Sequence, residues 1–349
     1  MSPTPFGLGR FETVTGTRFD GVVIGERTVV PLGALDPSWT RINDLFADWA
    51  GAISQIGGRL DAVGGRLDAA DSPDAAGGTF DLDELRPLPP VAPAQILQAG
   101  ANYRTHVIDL HVADAPEGST PREIAALRAE VGERLDRRAR TGTPYLFAGL
   151  PSALCGAHDD VVLPNHGTRP DWELEVAVVL ARPAFRITPA EVEGVIAGYV
   201  MVNDLTLRDR VFPQDVGRIG SDWVASKNAP TFLPTGPWLQ PSAFVADPTQ
   251  LHIRLALNGT TMQDATTADM IFDIRRVVYY ASQLVQLGAG DLVLTGSPAG
   301  NGAHHGRFLR NGDVIDAEVT GLGRQRNRCV REGDVEPAAA GSANLAATR

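Results

Sequence analysis

The chain has 349 residues, 43% hydrophobic and 21% charged, with a formal net charge of -11. That composition is ordinary for a globular protein with chain enough for a substantial core, and the acidic balance speaks against a nucleic acid or an anionic membrane as partner. Cys155 and Cys329 are too few for a disulfide framework, no uncharged apolar run approaches the ~20 residues of a membrane helix, and no N-terminal stretch reads as a signal peptide, so a reduced, cytoplasmic setting is expected.

Residues 1–70 read as a small N-terminal α/β domain. Short strands are expected over 11–33, with a turn at Gly25 and Glu26. A helix follows in "DPSWTRINDLFADWAGAI", with Asp36 as N-cap and Pro37 at the first helical position. Trp39, Ile42, Leu45, Phe46, Trp49 and Ile53 recur at helical spacing and are expected in the core. Residues 71–93, rich in Gly, Asp, Pro and Ala, read as a linker. Then 94–335 reads as a second, larger domain. Its short β-branched runs, among them "WELEVAVVLA", "AGYVMVND", "LHIRLALNG" and "GDVIDAEVTGLG", are punctuated by Gly, Asn and Asp, which favours a β-rich core. A helix over 273–287 is expected from Ile274, Val277, Val278, Ala281, Leu284 and Val285, with Gly288 as its stop. The tail, 336–349, is expected to be disordered.

A second helix is expected over 120–142. Thr120 and Glu123 form a capping box, Pro121 takes the first helical position, and Gly142 can end the helix. Ile124, Leu127, Val131 and Leu135 make one apolar stripe. It packs as a surface helix on the core, or acts as a lid or dimer contact.

In "DWELEVAVVL" Glu173 and Glu175 share one face of a strand, because strand side chains alternate. Alone, such a pair is ordinary on a solvent face. "GYVMVNDLTLRD" adds Asp204 just past another apolar strand, followed by Arg208 and Asp209. Three carboxylates on neighbouring strands suit a hard divalent cation, and oxygen donors without His or Cys neighbours point to Mg²⁺, Mn²⁺ or Ca²⁺ rather than zinc.

"GANYRTHVIDLH", "DWELEVAVVL", "GYVMVNDLTLRD", "SKNAPTFLPTGPWL", "LALNGTTMQDATTADMIF" and "GDLVLTGSPAGNG" follow one another in order. Together they resemble the fumarylacetoacetate hydrolase family, over roughly 99–330. The resemblance implies an α+β fold built on a mixed β-roll, usually a homodimer. It also implies Mg²⁺ (Mn²⁺ or Ca²⁺ in some members) on Glu173, Glu175 and Asp204. It places a catalytic dyad at His106 and Asp109, a lysine near the metal at Lys227, and substrate contacts at Tyr103, Arg208 and Thr295. His304 and His305 match no motif and read as loop residues.

This chain departs from the family pattern in four places. Asp109 stands where glutamate is common. The usual lysine of "F-x-K" is Gly149, after Phe147 and Ala148. A usual glutamine is Val211, and the 120–142 insertion is long. The expected activity is hydrolysis of a C–C bond in a small 1,3-dicarbonyl of acylpyruvate or β-diketone type. Decarboxylation or keto–enol isomerisation of a 2-oxo acid is the alternative.

Overall fold

The computed structural model describes residues 4–63 and 78–335, apart from 216 and 219. The expected tail, 336–349, and the first part of the expected linker, 71–77, lie outside the described residues.

A six-stranded mixed sheet occupies the centre, in the order 240–241, 196–203, 174–180, 292–294, 96–100 and 145–149. Strand Leu174–Leu180 lies antiparallel to Ile196–Asn203, with Glu175 opposite Val202, and strand Leu292–Leu294 runs parallel to Ile96–Gly100. Every residue of Leu174–Leu180 is buried. The alternation of strand side chains explains how. Val176, Val178 and Leu180 enter one apolar cluster, which includes Ile253, Leu255, Ile315 and Val319 from a second, five-stranded sheet. Ala177 and Val179 enter another, with Phe6, Leu8, Ile42, Leu45 and Ile56 from the N-terminal region. A strand covered on both faces needs an unbroken apolar run, and "VAVVL" supplies one.

The N-terminal sheet runs in the order 80–81, 28–31, 18–24, 6–12 and 86–88. Residues 80–88, expected in the linker, therefore supply both outer strands of this sheet. Pro87, which has no N–H to give to a ladder, suits an edge strand. The expected helix from Asp36 is also corrected. The Asp36 carboxylate accepts hydrogen bonds from the N–H and hydroxyl of Ser38, closing a turn that competes with the helix. Helical structure resumes only at Ile42–Leu45 and then runs over Trp49–Val63. Ile42, Leu45 and Ile53 are buried as expected, with Trp39, Phe46 and Trp49 packed partly exposed against them.

Strand and helix occupy nearly equal shares of the described residues, so the fold is α+β without the expected excess of strand. The helix Ile274–Leu284 forms with Asp273 capping the Arg276 N–H. It ends before Gly288, and Leu284 is 57% exposed rather than core. Cys155 and Cys329 are buried free thiols. Among the described residues no helix is long and apolar enough to cross a membrane.

The 120–142 segment is a helix over Pro121–Thr141 with the expected capping box. Val131 and Leu135 are buried in the chain's own core, and Leu127 packs against it. The inner part of the stripe thus has its partner within the chain, which favours the packed-helix reading over a dimer contact through these residues.

Candidate active site

The site lies where strands Leu174–Leu180 and Ile196–Asn203 end. The Glu173 N–H donates to Asn203 Oδ1 at 2.9 Å, and the Asp204 N–H to the Glu173 carbonyl at 2.8 Å. These bonds tie the two strand ends together, so Glu173, Glu175 and Asp204 each bring a carboxylate oxygen within 4.8 Å of the others. All three side chains are buried.

Two cations and a backbone donor answer this charge. The Lys227 ammonium donates to Glu173 Oε2 at 2.7 Å, to the Asp204 carbonyl at 3.0 Å and to Asp204 Oδ2. Arg208 donates to Glu173 Oε1 and, at 2.7 Å, to Asp171 Oδ2. Glu175 accepts from the Gly296 N–H at 2.7 Å. Burial pushes the Glu173 acid up, but Arg208 and Lys227 outweigh it and hold the group at about 2. Burial raises Asp204 to about 6 against the opposing pull of Lys227. Glu175 is pushed well above the carboxylate range by burial and then by Asp204. Burial pulls Lys227 down, yet Asp204 and Glu173 keep its value above the ordinary one.

With all four ionised, Asp171, Glu173, Glu175 and Asp204 outnumber Arg208 and Lys227 by two charges, which a divalent cation would balance. The donors are all hard oxygens, which fits Mg²⁺, Mn²⁺ or Ca²⁺. Among the described residues the buried Tyr103 hydroxyl has no hydrogen-bond partner, and Glu175 is among the charges that raise its value after burial. An unpaired buried hydroxyl beside such a cluster suits a ligand or an ion-bound water.

His106 is buried on the helix Arg104–Ala113. Burial lowers its value to about 4, so the imidazole is neutral at ordinary pH, with Glu173, Arg208, Asp109 and His304 as its charged surroundings. Among the described residues no hydrogen bond joins it to Asp109, which pairs instead with Arg128 at 2.9 Å. The dyad spacing is present without the dyad bond. Thr295 is buried, and its hydroxyl donates to the Val176 carbonyl at 2.7 Å. Its single O–H is therefore already committed, as are the Arg208 donors facing Asp171 and Glu173. His304 and His305 lie in a short helix, Gly302–His305, rather than a loop.

Sequence reasoning passed over Asp171 and Gln98. Asp171 is fully buried and accepts from Arg208, from the Gly302 N–H and, at 3.0 Å, from the Ala303 N–H. It joins the cation to the loop after Thr295, and its place within "DWELE" was the available signal. Gln98 donates to Asp204 Oδ1 at 2.7 Å. A Cβ at Gly149 would lie 3.0 Å from Gln98 Oε1, so the place expected to carry a lysine holds a glycine with an amide against it. The half-buried Phe147 ring stacks on Trp223 at 4.2 Å, Trp223 donates to the Tyr145 hydroxyl at 2.9 Å, and Lys227 Nζ stands 5.9 Å from the Phe147 ring. An aromatic rim thus adjoins the charged cluster.

The family model described as fumarylacetoacetate (FAA) hydrolase, C-terminal, matches residues 95–330. A 2,4-didehydro-3-deoxy-L-rhamnonate hydrolase of a Sphingomonas species is 38% identical over 188 residues, 53% of this chain and 64% of its own length. The chain thus matches just under two thirds of that relative. A mitochondrial oxaloacetate tautomerase of Rattus norvegicus is 30% identical over 73% of this chain and 84% of its own. Among solved structures, a probable 2-hydroxyhepta-2,4-diene-1,7-dioate isomerase from Mycobacterium abscessus superposes with a TM-score of 0.65 at 27% identity, covering 93% of this chain and 99% of that one. A maleylpyruvate hydrolase from a Sphingobium species, solved with manganese(II) and pyruvate, superposes at 0.63 with 24% identity over 93% and 99%, a likeness of fold alone.

Proposed function

The chain belongs to the fumarylacetoacetate hydrolase family, and on that premise we propose that it is a divalent-metal-dependent hydrolase that cleaves a C–C bond in a 1,3-dicarbonyl acid of acylpyruvate type. The observation that carries this reading is the buried trio Glu173, Glu175 and Asp204, with ligand oxygens within 4.8 Å of one another, beside a buried neutral histidine. Those three carboxylates would hold the ion. When bound, Mg²⁺ or Mn²⁺ supplies Lewis-acid polarisation of adjacent substrate oxygens.

The chain's own groups do the rest. His106 accepts a proton from water, and the hydroxide adds to the substrate carbonyl distal to the carboxylate. The C–C bond then breaks, its electron pair leaves with the departing 2-oxo acid, and the proton on His106 returns to that carbon. Lys227 is a fixed cation where negative charge grows, and such preorganised charge acts without reorganisation. Tyr103, whose buried hydroxyl has no partner among the described residues, orients a substrate oxygen. The aromatic rim of Tyr145, Phe147 and Trp223 favours an acyl part with apolar surface. Thr295, whose single O–H is engaged by the Val176 carbonyl, orients the site, while Arg208, held by Asp171 and Glu173 through Nε and Nη2, keeps further N–H donors for a substrate oxyanion.

The separation of His106 from Asp109 supports a second reading, in which water is not activated and the same site tautomerises or decarboxylates a 2-oxo acid. The tautomerase among the relatives points the same way. A screen of acylpyruvates, oxaloacetate and β-diketones with added Mg²⁺ or Mn²⁺, followed by loss of enol absorbance and by product analysis, decides between them. Hydrolysis yields two acids from an acylpyruvate. Turnover of oxaloacetate alone would replace the first reading by the second.

A further inference from the structure

We infer that Arg128, on the inserted helix, is a positioning residue that holds Asp109 away from His106 and releases it when His106 takes up a proton. This rests on the reading of His106 as the base.

Asp109 follows His106 by one helical turn, so the two side chains share a face of Arg104–Ala113 and are within reach of each other. Yet the Asp109 carboxylate is on Arg128 Nη1 at 2.9 Å. The inserted helix presents Arg128 by construction. Leu127 packs on the core beside it, and Val131 and Leu135 are buried one and two turns on. Two further contacts keep the helices in register. Arg104 donates to Asp136 at 2.9 Å, and Arg134 lies 2.6 Å from His111 Nε2. His111 Nδ1 is 2.8 Å from the Val107 carbonyl, so that nitrogen carries the proton and Nε2 accepts from Arg134.

The competition for Asp109 is unequal, and its balance depends on the state of His106. The Arg128 side chain is 47% exposed, so its guanidinium returns to water at little cost and an ion pair of this kind is weak. His106 is buried and cannot be solvated in the same way. While the imidazole is neutral, the guanidinium is the better partner for a carboxylate. Once the imidazole carries a proton, it stands in a buried place with Glu173, Arg208 and His304 as its charged neighbours, and the carboxylate one turn away adds a second anion that the half-exposed guanidinium can release. The exchange swaps an ion pair for a hydrogen bond, and the proton stays on His106. Arg128 thus makes the dyad conditional. Asp109 is withheld in the resting protein and supplied when charge develops.

The test uses the full-length protein with ¹⁵N-labelled histidine. In Arg128→Met, Asp109 is free to bond the imidazole, and a slowly exchanging low-field N–H proton of His106 is expected, absent from the parent. It disappears again in Arg128→Met/Asp109→Asn, and Arg128→Lys keeps the parent spectrum. No change in Arg128→Met, or a signal that survives Asp109→Asn, overturns the inference. This readout needs no substrate, so it is separate from failure of the hydrolase reading. With an active acylpyruvate, Arg128→Met is expected to keep or raise kcat while Asp109→Asn lowers it about tenfold or more. Equal losses in the two variants would mark the pair as merely structural and overturn the inference as well.

Discussion

At the end of the central sheet the Lys227 side chain is 3% exposed, and its ammonium donates to three oxygens of Glu173 and Asp204. Across the site, Arg104 and Arg128 reach Asp136 and Asp109 with guanidinium groups nearly half in solvent. Both regions are built from ion pairs of similar length. They differ in what happens when a pair opens. A buried partner is left without water and must shift its protonation or find another charge, whereas an exposed one simply rehydrates. The carboxylate cluster is therefore a fixed electrostatic frame, and the helical pair carrying His106 is an adjustable one.

The sharpest way to break the contrast is to remove the cation at its rigid end. Lys227→Met leaves Glu173 and Asp204 buried without their ammonium and should destabilise the protein by about 3–5 kcal/mol, read by denaturant unfolding, with partial recovery on adding Mg²⁺. A loss below about 1 kcal/mol, the range of exposed pairs, would erase the distinction. His106→Ala leaves the frame intact. It should cost about 10²–10⁴-fold in rate while calorimetric affinity for the divalent ion stays at the parent value.

A third experiment uses pH. Asp204, raised from 3.8 to about 6, binds its proton more tightly than the unfolded chain does, so its contribution to stability fades as pH rises from 3.8 through about 6 in the ion-free protein. Glu173, lowered from 4.5 to about 2, acts in the other direction, and its contribution is lost as pH falls through that lower window. A cation needs these oxygens deprotonated. Calorimetry in two buffers should therefore detect more protons released per ion bound at pH 6 than at pH 8. Glu175→Gln should weaken binding enough to remove the ion-dependent rise in melting temperature, a rise worth about 2.7 kcal/mol at a hundredfold excess over Kd. The smallest effect belongs to the exposed end. Arg104→Ala should cost about 0–1 kcal/mol, and less in high salt.

The parts of this structure that could be read in the sequence are those governed by local periodicity. Leu174–Leu180, Ile196–Asn203 and the capped helix Pro121–Thr141 follow from apolar runs and a capping box, and the Glu173–Glu175 pair from strand alternation. Lys227 and His106 have no such pattern and were legible only through resemblance. Asp171 stayed hidden because its partners Gly302 and Ala303 are 131 and 132 residues away. Asp36 and Pro37 misled because an aspartate that caps a helix also closes a turn onto Ser38, and the choice depends on packing that the local sequence does not carry. The Asp109–Arg128 pair was unreadable for the same reason, since its register depends on how one helix docks on another.

The dry second face of the central sheet bears on how the protein can be cut and recombined. Ala177, Val179, Ala197, Val200 and Val202 are covered by Phe6, Leu8, Ile42, Ile56 and their neighbours, and Trp49 donates to the Ala197 carbonyl at 3.1 Å. A fragment starting at residue 94 would present that whole face to solvent as one contiguous apolar patch, the kind that drives self-association. Such a truncation is expected to be recovered as aggregate despite keeping Glu173, Glu175, Asp204, Lys227 and His106. Grafting residues 94–335 onto another protein is then expected to require either carrying the N-terminal region along or repainting the sheet with polar residues.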